Sequence, residues 1–433
     1  MRRIIPLLAL LPASLAVAGE DEEMQRRTEE HCAAISTKLE AYLGPKFKAP
    51  VPVAMRTKEE IGAFAREQAK ALAPQGLVEM AQKLSERLRL VPHGYDLFEK
   101  EIEMVEKNVA GLYDPDADRF YVVKGTGSPG TFMFMVTAAH ELVHAYRDVD
   151  KDYWPRVLRL IQTNSDAAQA VRFLVEGDAT LLGDVLGPAT IQKIDPAPIV
   201  EKVAAANTDS DMLIRLALTE PRLAEFPLAL KETLVAAYVE GRAFAAAVFR
   251  HGGKEALDRA YDNPPRSTEQ TLHPEKYLGA EPDEPVGFEG GDPTAALGEG
   301  WKRLHTDVIG EFDVRVLFTE RLDRRRARAA AEGWDGARYW FCEKAGTPSF
   351  IGLTTAWDTA ADAREFAQAW ADWALRRDGA TGEVAPKGDE WRVETGDGLV
   401  VVTQAEGSVV VADGVPPDRV AEVLSAMRAA TRR

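Results

Sequence analysis

The chain has 433 residues, with 69 acidic and 53 basic side chains and a formal net charge of −16. That acidity argues against nucleic acid and anionic membranes as partners, and the length allows two or three domains with a substantial core. Only two cysteines occur, Cys32 and Cys342; in an oxidising compartment they could pair, or they could stay as two buried thiols.

The first residues are Met1-Arg2-Arg3, followed by an apolar run from Ile4 to Leu15 and then Ala16-Val17-Ala18. A charged start, a short apolar middle and an Ala-x-Ala end read as a secretory signal peptide over residues 1–18, cleaved after Ala18. The run is too short to span a bilayer, and no cysteine follows the cleavage site to carry a lipid. No later stretch has the length of a transmembrane helix, so the mature chain is expected to be exported, periplasmic or secreted, with no membrane span. Losing Arg2 and Arg3 takes the charge to about −18.

Residues 20–44 read as a helix, with Ile35, Leu39 and Leu43 at helical spacing among many charges. Residues 51–55 read as a short strand, 57–72 and 95–108 as helices. Two β-rich runs, 109–113 and 119–123, flank Asp114-Pro115-Asp116-Ala117-Asp118 and read as a hairpin. An edge strand in that place could bind an extended peptide by strand addition; Tyr113 and Tyr121 are equally explained by ordinary sheet packing.

The most informative segment follows. His140-Glu141-Leu142-Val143-His144 lies after an uncharged run, Thr131 to Ala139, without proline. On a helix, HExxH puts two imidazoles one turn apart on one face, where both reach one zinc ion. Glu141 is then placed to take a proton from a zinc-bound water. Two histidines and a glutamate on an apolar helix would be costly to bury without a metal or partners.

Tetrahedral catalytic zinc takes three protein ligands and a water. No histidine follows His144 closely, so the third ligand is expected from a later helix. Phe173-Leu174-Val175-Glu176-Gly177-Asp178-Ala179 offers Glu176 in apolar surroundings, with small residues that would let this helix approach the metal helix.

HExxH followed tens of residues later by Phe-Leu-x-Glu-Gly-x-Ala resembles the gluzincin branch of the zincin metallopeptidases. The second element is similar to the Trp-Leu-x-Glu-Gly-x-Ala segment of aminopeptidase N-like enzymes. The resemblance implies a zincin fold over roughly residues 50–290, Zn2+ on His140, His144 and Glu176, and Glu141 as general base. The Gly-x-Met-Glu-Asn signature for a substrate amino terminus is absent, so aminopeptidase activity does not carry over. Thermolysin-like members place an acid four residues after the ligand glutamate; here that position is Thr180, leaving Asp178 and Asp184 as the nearest acids.

From 154 to 262 the pattern is helical and rich in Ala and Leu. Tyr238-Val239-Glu240-Gly241-Arg242-Ala243 repeats the Glu-Gly-x-Ala shape, making Glu240 the rival third ligand. Glu176 is preferred, because its surroundings are more apolar and Arg242 could simply pair with Glu240. The loop 263–274 is rigid and polar. A zinc peptidase needs a donor for the oxyanion of its tetrahedral intermediate, and the candidates are His273, Tyr261, Tyr238 and Arg266. His273 and Tyr261 join Glu141 in the expected catalytic set; the alternative for this loop is a helix-capping surface role.

Residues 279–300 carry six glycines and three prolines among acids and read as a linker. It divides a mainly helical metallopeptidase domain with a small sheet, residues 19–290, from a smaller α+β domain, 301–433. The latter is expected to hold helices near 304–332 and 359–377, strands near 338–342, 349–353, 390–394, 399–404 and 408–412, and a final helix at 416–430. That order suggests an antiparallel sheet with helices on one face. The whole chain is therefore expected to be α+β. Its expected function is that of an exported zinc-dependent peptidase acting on peptide or protein substrates. The alternative is a non-catalytic exported binding or assembly protein on the same scaffold.

Overall fold

The computed structural model describes residues 21–433 except 73–75, 152, 207–208 and 383–385. The expected signal peptide, 1–18, lies outside the described residues. The fold is α+β: a mainly helical part with a small sheet, then a β-rich part.

Helix α1 (Asp21–Leu43) is followed by β1 (Val53–Arg56), α2 (Lys58–Leu72), α3 (Leu77–Arg87) and α4 (Leu97–Asn108). The hairpin is β2 (Gly111–Asp114) and β3 (Arg119–Val123). β1 pairs parallel with β3, and β2 lies antiparallel at the edge of the sheet, order β1-β3-β2. Next come α5 (Phe132–Lys151), α6 (Tyr153–Thr163), α7 (Ser165–Gln192), α8 (Ala197–Ala205), α9 (Ser210–Ala217) and α10 (Leu228–Asp262). α10 breaks at Gly252–Gly253, where Gly253 has φ +66, a conformation glycine adopts without steric cost.

The HExxH helix α5 is buried as its sequence demands. Leu142 and Val143 pack with Ile35 and Leu39 of α1, Phe120 and Val122 of β3, and Ala179 and Leu182 of α7. The small residues of α7 work in two directions. A Cβ at Gly183 would sit 3.0 Å from the His140 backbone nitrogen, and one at Gly187 would overlap the Met135 carbonyl, so these two glycines admit α5. A Cβ at Gly177 would overlap the Gly241 carbonyl. Gly177 therefore serves the approach to α10, not to the metal helix as expected from sequence. The two Glu-Gly-x-Ala segments cross at their glycines.

After α11 (Thr268–Leu272) and α12 (Pro274–Leu278), the expected linker runs through β4 (Phe288–Glu289) and α13 (Thr294–Leu297). Then follow β5 (Lys302–Asp307), α14 (Glu311–Thr319), α15 (Arg324–Ala329), β6 (Trp334–Glu343), β7 (Phe350–Trp357), α16 (Ala360–Leu375), β8 (Thr381–Gly382), β9 (Glu390–Thr395), β10 (Gly398–Ala405), β11 (Ser408–Val415), α17 (Val420–Arg428) and β12 (Thr431–Arg432). The start of the expected helical stretch at 304 is strand β5. β5 to β11 form a seven-stranded sheet, order β5-β6-β7-β11-β10-β9-β8, and β12 pairs with β4.

Helices cover both faces of this sheet, not one. Val400, Val402, Val409 and Val411 pack with Phe366 and Trp370 of α16, while Val401, Val410 and Ala412 pack with Val423 and Met427 of α17. The continuous apolar runs of β10 and β11 carry the reason: strands without polar alternation bury both sides.

Packing continues across the expected domain boundary. Leu84, Phe173, Leu234, Phe312, Trp334 and Trp370 belong to one apolar cluster. Arg87 of α3 and Arg377 both pair with the buried Asp413 of β11. Cys32 and Cys342 are both free and buried, in separate clusters. No described helix is long and apolar enough to cross a membrane.

Candidate metal centre

α5 and α7 bring His140, His144 and Glu176 together. His140 Nε2 lies 3.2 Å and His144 Nε2 3.7 Å from Glu176 Oε2, and the two Nε2 atoms are 3.0 Å apart. His140 is 5 % exposed, His144 and Glu176 are fully buried. Ligand atoms about 2.0–2.1 Å from a tetrahedral metal are separated from one another by about 3.3 Å, so the three atoms stand at the corners such an ion requires. The donor set fits as well. In the tautomers that leave both Nε2 atoms unprotonated, the two imidazoles and the carboxylate face one point as three acceptors, a donor set that fits a cation. Glu176 Oε1 and His144 Nδ1 are buried with no hydrogen-bond partner among the described residues.

Electrostatics agrees with this grouping. Burial alone would raise the Glu176 carboxyl, but His140 and His144 hold it down to about 2. Burial alone would lower His140; Glu176 and Glu141 raise it instead.

Glu141 projects from the same helix and is fully buried. Its Oε2 accepts the backbone N–H of Tyr113 at 2.8 Å, while Oε1 has no hydrogen-bond partner among the described residues. Burial pushes its carboxyl above the ordinary range, against the pull of His140 and His144. β2 is thus the sheet edge that faces the site, and its outward N–H orients Glu141. The Tyr113 hydroxyl points elsewhere, to Asp118 at 3.0 Å and Asp148 at 3.1 Å.

The remaining candidates separate. Tyr261 gives its hydroxyl to Asp178 Oδ2 at 3.1 Å and is buried against Tyr153. His273 Nε2 lies 3.0 Å from Glu311 Oε1. Neither belongs to the group formed by His140, His144 and Glu176, and each is bonded to a buried acid. Arg266 pairs with Glu284 at the surface. Tyr238 alone of the four stands at the centre, its ring centroid 5.9 Å from that of His140. Glu240 accepts from Arg315 of α14 at 3.1 Å, and Arg242 pairs with Asp184, so the rival ligand is occupied by a different arginine from the one expected.

One structural group escaped the sequence reading. Arg147 Nε donates to Asp178 Oδ2 at 2.7 Å with both side chains buried, and Arg147 Nη1 reaches Asp258 at 3.0 Å. The signal was present: two opposite charges at buried positions, one just beyond His144 and one just beyond Glu176. Elsewhere, Glu269, Asp283 and Asp358 also converge, but Lys276 bonds all three and takes a cation's place.

No curated protein and no solved structure matches the chain. A family model described as a domain of unknown function (DUF8575) matches residues 299–424, the β-rich part, which excludes the three ligand-bearing residues.

Proposed function

We propose that the chain is an exported zinc-dependent peptidase, with the metal held by His140, His144 and Glu176. The observation that carries this reading is the mutual placement of three buried acceptor atoms, 3.0 to 3.7 Å apart, beside an oriented glutamate. Bound zinc supplies Lewis acidity toward a carbonyl and acidifies water. Glu141 takes the proton of the attacking water and passes it to the leaving amine. Tyr238, beside His140, is the donor to the developing oxyanion. β2 presents a sheet edge along which an extended peptide would lie.

A second reading is a structural zinc that only fastens α5 to α7. The full burial of His144, Glu141 and Glu176 favours it. Both readings require about one zinc per chain, lost in His140→Ala. Only the peptidase reading requires cleavage of a peptide library by the zinc-loaded chain. Protein that takes up no zinc contradicts both.

A further inference from the structure

α7 is enclosed on all sides but one. Between Ser165 and Gly187 only Gln169, Arg172, Thr180 and Asp184 reach solvent. At 3.6 residues per turn these four positions fall on a single stripe, and Glu176 lies at its centre. The metal ligand therefore sits in the one line along which a molecule from solvent could meet α7.

Arg172 stands on this stripe one turn before Glu176, about 6 Å along the axis. Side chains in a helix lean toward its N-terminus, so Glu176 extends over the turn that carries Arg172. Glu176 nevertheless turns to the two histidines. Among the described residues Arg172 has no ion pair and no hydrogen bond, and its Nε is buried. In a chain with 69 acidic and 53 basic residues, Arg172 is an arginine without an acidic partner, partly exposed and one helical turn from Glu176, where it is open to an anion of a ligand. The other end of the stripe is already satisfied, since Asp184 pairs with Arg242.

We infer that Arg172 binds a carboxylate of the substrate. The inference rests on the peptidase reading and narrows its substrate class. An arginine fork takes a carboxylate through two parallel hydrogen bonds. An extended peptide advances about 3.3 Å per residue, so the axial offset of about 6 Å between Arg172 and Glu176 corresponds to a carboxylate a few residues from the bond that is cut. A chain terminus and an acidic side chain offer the same chemistry.

The test uses zinc-loaded Glu141→Gln protein, which holds peptide without turnover, and three matched fluorescent peptides: a free acid, its C-terminal amide, and an amide with an internal aspartate. The free acid is expected to bind about tenfold or more tighter than its amide, with Arg172→Met abolishing the preference and Arg172→Lys keeping part of it. Zinc content and thermal midpoint confirm that each variant is folded. In active protein the same preference is expected in KM, with Arg172→Met reducing the acid-to-amide ratio. A preference shared by the internal aspartate peptide identifies a side chain as the source; one confined to the free acid identifies the terminus. Equal binding of all three peptides, or a preference that survives Arg172→Met, overturns the inference. A protein that binds none of them contradicts the peptidase reading itself.

Discussion

Arg147 and Asp178 join α5 and α7, the helices that carry His144 and Glu176, through a buried bond of 2.7 Å. Arg147 follows His144 by three residues and Asp178 follows Glu176 by two, so the ion pair sets the separation of His144 and Glu176. Removing Asp178 leaves the buried Arg147 with only the half-exposed Asp258 as an acidic partner among the described residues, and cutting a buried pair on one side costs about 3 kcal/mol. Asp178→Ala should lose stability of that order in denaturant unfolding and should also weaken zinc binding in a competition titration. A variant as stable as the parent would show that the pair does not hold the helices in register.

The tyrosines make opposite predictions. Tyr261→Phe removes one bond to Asp178 and should cost about 1 kcal/mol of stability, with kcat changed by less than about threefold. Tyr238→Phe should leave the unfolding midpoint close to the parent and lower kcat about a hundredfold. Peptide hydrolysis and thermal unfolding on both variants check the pair; a larger kcat loss in Tyr261→Phe would reverse the assignment.

The two Glu-Gly-x-Ala segments are separated in the same way. Glu176→Ala should weaken zinc binding by orders of magnitude. Glu240→Ala should keep zinc and lose about 3 kcal/mol or more, because it strands the buried Arg315. Metal content by mass spectrometry, with denaturant unfolding of both variants, distinguishes ligand from structural acid. Zinc loss in Glu240→Ala with retention in Glu176→Ala would exchange the roles.

How much of this was legible in the sequence depends on range. The hairpin, the HExxH helix and most strands of the large sheet follow from local patterns, because period and turn chemistry act within a few residues. His140, Glu141 and His144 sit within one helical turn of one another, and their convergence follows from that spacing alone. Glu176 needed the apolar character of its neighbours. The partners of Tyr261, His273 and Glu240 come from segments far along the chain, Asp178, Glu311 and Arg315, and no local pattern announces them. The Gly- and Pro-rich stretch at 279–300 reads as a linker, yet Phe173 and Leu234 on one side share a cluster with Phe312 and Trp334 on the other. β10 and β11 held the opposite lesson: their unbroken apolar runs already contained the two-sided burial that an order of elements does not reveal.

Acidity should stabilise the joint between α7 and α14. Asp166, fully buried in the first turn of α7, accepts the N–H of Thr268 at 3.1 Å and its hydroxyl at 2.5 Å, and Thr268 in turn accepts the N–H of Phe312. Burial pushes the Asp166 carboxyl up to about 7, with the Thr268 bonds opposing and Asp313 and Glu311 adding to the rise. A carboxyl whose pKa rises on folding holds its proton more tightly in the folded chain. Its contribution to stability is complete below its ordinary value of 3.8 and is lost as the pH passes about 7. Asp166→Asn should therefore gain on the parent by several degrees of thermal midpoint between pH 5 and pH 8. A difference that stays constant over that range would place the ionised form in the folded state throughout.

Glu141 carries the central claim, because it is the residue a purely structural metal centre does not need. Glu141→Gln preserves size and the bond from the Tyr113 N–H but cannot accept a proton. The direct measurement is kcat/KM for one peptide substrate with the parent and Glu141→Gln at equal zinc content. The account predicts a loss of at least about a hundredfold in the variant, with one zinc per chain in both. Equal rates, or no hydrolysis by the zinc-loaded parent, would contradict it.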